Sequence, residues 1–324
     1  MSIEILMVIG FCLAAYSIVG NDVPQTLGTF ISSNSHRPWW VLWIYISTIL
    51  VVVLTYGWIS SGVGDASYGR LETIPFPAEG ITWLYVVPPV LLLILTRYGI
   101  PVSTTFLVLT IFSPTSLGSM MVKSMMGYAV AFVVAIVVYR FVMKGMAEYF
   151  AKTRNHPPSH FWIGLQWLST GFLWSQWLIQ DLANIFVYVP RQVPLEFLIF
   201  AIAVFVTLIG VVLYQRGGAI QKIIDTKTGV TDIRSATVID FMYGAILLVF
   251  KEWSNIPMST TWVFLGLLAG REFAMSLFLS EVNKYRTSRN VSKDAMKLMF
   301  GLAMSVILAT TLPAAYEFIT NFGK

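Results

Sequence analysis

Long apolar runs separated by short polar segments dominate this chain. Runs of roughly 20 apolar residues match a helix that crosses a bilayer, and they are expected at about residues 41–61, 81–96, 120–142, 195–214 and 297–318. Within each run the apolar positions are continuous rather than alternating, which predicts helices instead of barrel strands. Two further apolar stretches, residues 5–31 and 161–189, are each interrupted by one acid, Asp22 and Asp181.

A short motif occurs twice inside this apolar background. Ile100-Pro101-Val102-Ser103-Thr104-Thr105 returns as Ile256-Pro257-Met258-Ser259-Thr260-Thr261. Asp22 precedes Ser103 by 81 positions and Asp181 precedes Ser259 by 78, so the two halves stay in register. The order of features matches as well: an Asp-bearing apolar stretch, further spans, a polar loop (residues 62–80, then 216–234), the Pro-x-Ser-Thr-Thr element and a last helix. The polar, two-proline segment 153–159 is the expected linker between an N-terminal repeat, 1–152, and a C-terminal repeat, 160–324. Repeats on this scale are common in secondary transporters, which bind their cargo at the repeat interface near the midplane.

Composition narrows the class. The 324 residues are 56% hydrophobic and 11% charged, with mean hydropathy +0.73, against about 25% charged in soluble domains. The fold class expected is an all-α polytopic membrane protein with two homologous, inverted repeats. Each repeat carries a broken helix and a re-entrant Pro-x-Ser-Thr-Thr helical hairpin. An inverted repeat needs an odd number of crossings per half, and the apolar runs leave that count open. The stretch 5–19 lacks a basic lead and a small-residue cleavage pattern, so it does not read as a signal peptide. One cysteine, Cys12, leaves no intrachain disulfide. Basic clusters at 140–154, 216–234 and 284–297 read as topology signals, with the multi-pass protein placed in the cell (inner) membrane. The net charge of +5 does not suggest a nucleic-acid partner.

Breaks in helices are expected around Asp22, where Gly20, Pro24 and Gly28 crowd, and at each motif proline. The apolar stretches after the motifs, 106–112 and 262–269, are short, and Ser113-Pro114 and Gly270 are expected to end them. Ser103, Thr104, Thr105, Ser259, Thr260 and Thr261 then fall in the first turns of new helices. Hydroxyls and free backbone N–H groups at the positive end of a helix suit an anion, although Ser and Thr there also serve as ordinary N-caps. Around the acids, Asn21, Asp22, Asp181 and Asn184 offer the oxygen ligands of a hard cation such as Na⁺. The same Asp residues could instead carry a proton or cap a helix break.

These residues resemble the inorganic phosphate transporter (PiT) family, which carries two Asn-Asp signatures, each followed by Pro-x-Ser-Thr-Thr-His. Here Gly20-Asn21-Asp22 keeps the Asn-Asp pair but continues with Val23-Pro24-Gln25, and Gln180-Asp181-Leu182-Ala183-Asn184 keeps Asp-x-Ala-Asn. The family His after each Thr-Thr is Phe106 in one half and Trp262 in the other. The resemblance implies that the six hydroxyl residues bind the anion and that Asn21, Asp22, Asp181 and Asn184 bind driving cations, Na⁺ or H⁺. It implies a symporter of inorganic phosphate working by alternating access, with sulfate the alternative cargo. No cofactor is expected beyond the coupling ion; the partners are the anion, Na⁺ or H⁺, the lipid bilayer and a second copy in a homodimer.

An enzyme is not expected, since no Ser-His pair, Gly-x-Ser-x-Gly or His-Glu-x-x-His occurs. A membrane-embedded enzyme of another kind and a non-transporting sensor rank below transport. His36, His156 and His160 lie in or beside polar loops and read as surface residues, and the tryptophans read as interface belts and helix packing. Lys251, Glu252, Arg271 and Glu272 bracket the second motif, and an ion pair closing that hairpin is expected, with a direct role in attracting the anion as the alternative. Lys123 is a weaker analogue beside the first.

Overall fold

The computed structural model describes residues 3–60, 64–98, 102–143, 145, 153, 159–218, 220–221, 225 and 232–278, and in the C-terminal stretch 292, 296, 299–308, 310–312 and 314–315. Among these the ordered structure is helical. In the first half the helices are α1 (Ile3–Ser33), α2 (Trp39–Ser60), α3 (Val87–Arg97), α4 (Thr104–Phe112) and α5 (Leu117–Val138). In the second they are α6 (His160–Asp181), α7 (Ala183–Phe186), α8 (Leu195–Tyr214), α9 (Ile233–Trp253) and α10 (Thr260–Phe278).

Among the described residues, five helical segments are long and apolar enough to cross a membrane: Glu4–Ser33, Trp39–Ser60, Pro114–Val142, Leu195–Tyr214 and Ile233–Trp253. The chain is an integral, multi-pass membrane protein. Three of these segments match expected runs. The run expected at 81–96 is a shorter helix, Trp83–Arg97, and the run at 297–318 extends beyond the described residues. The span Ile233–Trp253 was not expected. Arg234, Asp240 and the Lys251-Glu252 pair dilute its apolar pattern, yet Asp240 is buried between helices rather than facing lipid. Apolar side chains on α2, α5 and α8, including Val52, Ile59, Val122, Val133 and Ile199, are exposed. This is the outward-facing surface that a bilayer would cover.

Helix ends gather on two faces, and hydrogen bonds tie each face together. On the first, Val193 N donates to Gly64 O (3.1 Å), Trp58 Nε1 to Val193 O (2.7 Å), Tyr188 OH to Tyr85 O (2.7 Å) and Arg191 Nη2 to Ile74 O (2.6 Å). On the second, Asn34 Nδ2 donates to Gln166 Oε1 (2.9 Å), Gln221 Nε2 to Gly28 O (2.9 Å) and Arg216 Nη2 to Arg37 O (2.7 Å). Helix α1 therefore ends on the face where α6 begins, and α2 ends where α8 begins. Helix α3 leaves the face at which α9 ends. Matched helices of the two halves run in opposite directions.

Two expectations about helix breaks need correction. Helix α1 runs without interruption past Asp22 and Pro24. Pro24 removes one backbone donor, but the helix is buried from Asn21 to Ile31, where packing holds it straight. Gln25 Nε2 also donates to Asn21 O at 2.9 Å, and neighbouring groups of this kind let membrane helices keep a proline. In the second half the interruption does occur, directly after Asp181. Nor does Gly270 end the helix after the second motif, since α10 continues to Phe278.

Gly270 and Gly266 instead form a small-residue seam. A Cβ at either position would strike the carbonyl oxygen of Phe132 or Tyr128 on α5. The spacing of four puts both glycines on one helix face, so α10 lies directly on the backbone of α5. Close approach of this kind is how helices associate where lipid removes the hydrophobic drive. The first motif helix, α4, is only 9 residues long, about 14 Å at helical rise. It ends at Ser113-Pro114, as expected.

Candidate functional site

The two motifs meet head to head in the interior. Helix α4 runs from Thr104 toward the first face, where Phe112 packs on Tyr85 (4.6 Å between ring centroids) and Tyr188 (5.1 Å). Helix α10 runs from Thr260 the opposite way, with Phe273 against Phe132 of α5 at 5.7 Å. Their N-terminal turns brace each other reciprocally. Thr105 Oγ1 donates to Met258 O at 3.2 Å, and Thr261 Oγ1 donates to Val102 O at 3.4 Å. Thr105 and Thr261 are matched positions, and so are Val102 and Met258, so the pair of bonds has the form of a two-fold exchange. Phe106 and Trp262, which follow the two Thr-Thr pairs, meet edge to face at 5.5 Å and make an apolar contact across the crossing.

Each hydroxyl of the motifs has a definite task. Ser103 Oγ accepts from Phe106 N at 3.3 Å and Ser259 Oγ accepts from Trp262 N at 3.3 Å. Both serines are therefore N-caps, which answers part of the donor deficit of a helix start. Ser259 N in turn donates to Ser124 Oγ on α5 at 2.8 Å. Thr104 Oγ1 donates to Asp22 Oδ2 at 2.8 Å. Its counterpart Thr260 lies beside Asp181, and Thr260 O accepts from Tyr243 OH at 3.0 Å.

The four amide and carboxylate residues join the same centre. Asn21 Nδ2 donates to Asp22 Oδ1 (2.6 Å) and to Val102 O (3.1 Å). Asn184 Nδ2 lies within hydrogen-bonding distance of Asp181 Oδ1 (2.8 Å), Thr104 Oγ1 (3.2 Å) and Thr105 Oγ1 (3.3 Å). All ten residues singled out in the sequence thus converge, each at most 4% exposed. Asp22 and Asp181 are near enough to feel each other's charge. Several buried acceptors around them have no hydrogen-bond partner: Asp181 Oδ2, Asn184 Oδ1, Gln180 Oε1, Gln25 Oε1 and Thr26 Oγ1. Unpaired buried acceptors are rare in native proteins, and this set of hard oxygens on α1, α6 and α7 has the chemistry of an alkali-cation site.

A cavity of about 270 Å³ opens between α1, α3 and α8, lined by Ser17, Gly20, Thr96, Arg97, Gln215 and their neighbours. It lies toward the second face and reaches the wall of the site, where Thr96 Oγ1 is 3.4 Å from Asn21 Oδ1. Of the basic clusters, Arg216 and Arg234 belong to this same face, where Arg216 Nη2 donates to Arg37 O and Arg234 Nη1 donates to Thr153 Oγ1 at 2.5 Å. The third basic cluster, 284–297, lies almost wholly outside the described residues.

Sequence reasoning missed Arg70 and misjudged the charges around the second motif. Lys251 pairs with its neighbour Glu252 at 2.8 Å, and Arg271 lies beside Tyr139 on the opposite face. Lys251 and Glu252 therefore do not bridge the hairpin, because α10 carries Arg271 and Glu272 away from them. The cations that do reach the second motif are Lys123, whose Nζ donates to Ser254 O (2.6 Å) and Ile256 O (2.8 Å), and Arg70, whose Nη2 donates to Ile256 O (3.2 Å). Burial pushes the Arg70 guanidinium down to about 10, with nearby Asp181 opposing the shift, so it stays charged at neutral pH. Nothing in the loop composition marked Arg70, because a lone Arg among acids reads as a solvated residue. A third buried acid, Asp240, accepts from Thr29 and Thr170, each at 2.5 Å. It ties α9 to α1 and α6, outside the motif centre.

The molecule is thus a helical membrane protein built from two oppositely directed halves whose re-entrant turns cross at a buried polar centre. No family model matches the chain, and no curated protein matches it. Among solved structures it is similar to one described as "The sodium-dependent phosphate transporter", with a TM-score of 0.59 and 16% identity, over 98% of this chain and 100% of that one. The likeness extends over the whole chain and concerns the fold.

Proposed function

We propose that this chain is a secondary active transporter, a symporter of inorganic phosphate driven by Na⁺ or H⁺. The observation that carries the proposal is the reciprocal crossing of the two Pro-x-Ser-Thr-Thr turns between Asp22 and Asp181. Fold likeness to a structure described as a sodium-dependent phosphate transporter supports the cargo and the cation.

In this reading Ser103, Thr104, Thr105, Ser259, Thr260 and Thr261 form the anion site at two helix N-termini, and Thr104, Thr105 and Thr261 turn their hydroxyls from Asp22, Met258 O and Val102 O to the anion when it binds. Asn21, Asp22, Asp181 and Asn184 hold the cation. A cation there offsets the repulsion between the anion and two carboxylates, so neither ion binds well without the other. That mutual dependence is coupling, expressed as a free energy shared between two sites. Alternating access follows from rocking of the oppositely directed halves about the crossing. The described conformation has its cavity on the basic face, which the positive-inside rule makes cytoplasmic.

Phosphate ranks above sulfate for a chemical reason. Phosphate at neutral pH has a proton to donate, and the site holds unpaired acceptors at Asp181 Oδ2 and Asn184 Oδ1. Sulfate has none to give. If those acceptors are instead filled by the cation, the preference disappears and sulfate becomes equivalent. The test is uptake of labelled phosphate and labelled sulfate into proteoliposomes, with Na⁺ and proton gradients imposed separately. Gradient-driven phosphate uptake is expected; absence of gradient-driven uptake of either anion rejects the proposal.

A further inference from the structure

Among the described residues, Arg70 is the cation near the crossing whose bonding capacity greatly exceeds what the protein uses. It is 1% exposed. A guanidinium carries five N–H donors in a fixed fork. Here Nη2 reaches Ile256 O, while Nε and Nη1 have no acceptor. Among the described residues it forms no ion pair: Asp181 lies within electrostatic reach but not at hydrogen-bonding distance. Lys123, also buried, lies near enough to feel the Arg70 charge and spends its donors on the carbonyls of Ser254 and Ile256. Unpaired donors on a buried cation are costly, and a pin for one carbonyl would need neither the charge nor the fork.

The loop presents Arg70 deliberately. The Asp65 carboxylate accepts from Ser67 N (2.7 Å), Ser67 Oγ (2.5 Å) and Gly69 N (2.8 Å). Tyr68 and Gly69 both have positive φ, 57° and 74°, a conformation that costs a tyrosine energy and reverses the chain just before Arg70. The Tyr68 hydroxyl donates to Val53 O on α2, which locks the reversal onto a helix. The turn therefore drives Arg70 inward against the residue that leads into Pro257-Met258-Ser259.

We propose that Arg70 is an anion-binding and charge-selecting residue of this site, its unused N–H groups donating to a divalent tetrahedral oxyanion beside the second Pro-x-Ser-Thr-Thr turn. This rests on the transporter reading above and adds a residue to it. The half-sites are then unequal: the first offers dipoles and hydroxyls, the second the same plus a guanidinium. The second Nη2 N–H, paired with Nε on one edge or with Nη1 on the other, gives a forked donation that suits two oxygens of one tetrahedral anion. Arg70 also reaches the centre from the first face, the side opposite the cavity, and so is placed to meet an anion arriving from there.

The test uses the full chain in lipid nanodiscs and equilibrium binding of labelled phosphate and sulfate, with perchlorate, tetrahedral but singly charged, as competitor. The R70Q variant is expected to weaken binding of the divalent anion by about tenfold or more, with much less change in perchlorate competition. R70K is expected to fall between R70Q and wild type, since it keeps the charge and loses the fork. Wild-type affinity in R70Q overturns the proposal. So does an equal loss for divalent and monovalent anions, which is the signature of a structural pin. If R70Q does not fold, R70K decides: affinity equal to wild type overturns the forked contact, and a partial loss confined to divalent anions upholds it. Wild-type protein that binds no oxyanion rejects the transporter reading itself, and Arg70's role with it.

Discussion

The two motif turns share a backbone plan and differ in what surrounds them. In both, a serine caps the helix, the second threonine bonds the opposite turn, and the first threonine lies on an acid. The environments then part. Asp22 spends both oxygens on protein donors, Asn21 and Thr104, and sits in an unbroken helix. Asp181 ends a helix, keeps one oxygen unpaired, and has Arg70 within electrostatic reach. Symmetry supplies the cross-bracing that holds two helix N-termini together, and asymmetry supplies the charge. A duplicated scaffold can therefore keep its geometry while one copy specialises.

The largest expected effect tests that asymmetry directly. Asp181→Asn should reduce cation-coupled uptake by about a hundredfold, since it neutralises the acid with a free oxygen. Asp22→Asn should reduce it several-fold less, because an amide oxygen can still accept from Thr104. Equal losses, measured as initial uptake rates against Na⁺ or proton gradient, would erase the distinction between the acids.

The glycine seam separates the hairpins by packing. Gly270→Ala places a methyl against the backbone of α5 and should cost about 1–3 kcal/mol, seen as a lower midpoint in thermal unfolding of the detergent-solubilised protein. Gly118→Ala, at the start of α5 where no atom lies near, should leave the midpoint in place. A tolerant Gly270 would mean that α10 is not seated on α5 as described.

Smaller effects sharpen the symmetric part. Thr105→Val and Thr261→Val should each cost about 1 kcal/mol by removing one neutral hydrogen bond, and the two costs should match. A marked inequality would show that one turn braces the other without return. At the low end, Glu252→Ala removes only an exposed pair with Lys251 and should change stability by less than about 0.5 kcal/mol. A large loss there would revive the hairpin-closing role that the geometry denies to this pair.

Much of the architecture was readable from residue order. Apolar run length announced α2, α5 and α8, since a bilayer demands a particular length of helix whatever the neighbours are. The doubled motif announced the crossing, and in-register Asp22 and Asp181 announced its acids. The span Ile233–Trp253 escaped because Arg234 and Asp240 lie buried with polar partners while Lys251 and Glu252 pair at its end, arrangements that local hydropathy counts only as charge. The continuity of α1 through Pro24 escaped for a related reason. A proline's penalty is local, but the packing that overrides it comes from helices distant in sequence.

Taken alone, the sequence determined the class of protein, the two-fold repeat and the ten residues of the centre. These follow from composition, period and spacing, which need no partner to have meaning. Only the tertiary structure decided that matched helices run in opposite directions, that Thr105 and Thr261 exchange bonds across the crossing, and that Arg70 belongs beside it. Charge in a loop is ambiguous until the fold removes water from it; once Tyr68 and Gly69 turn that loop inward, a solvated arginine becomes a buried cation with donors to spare.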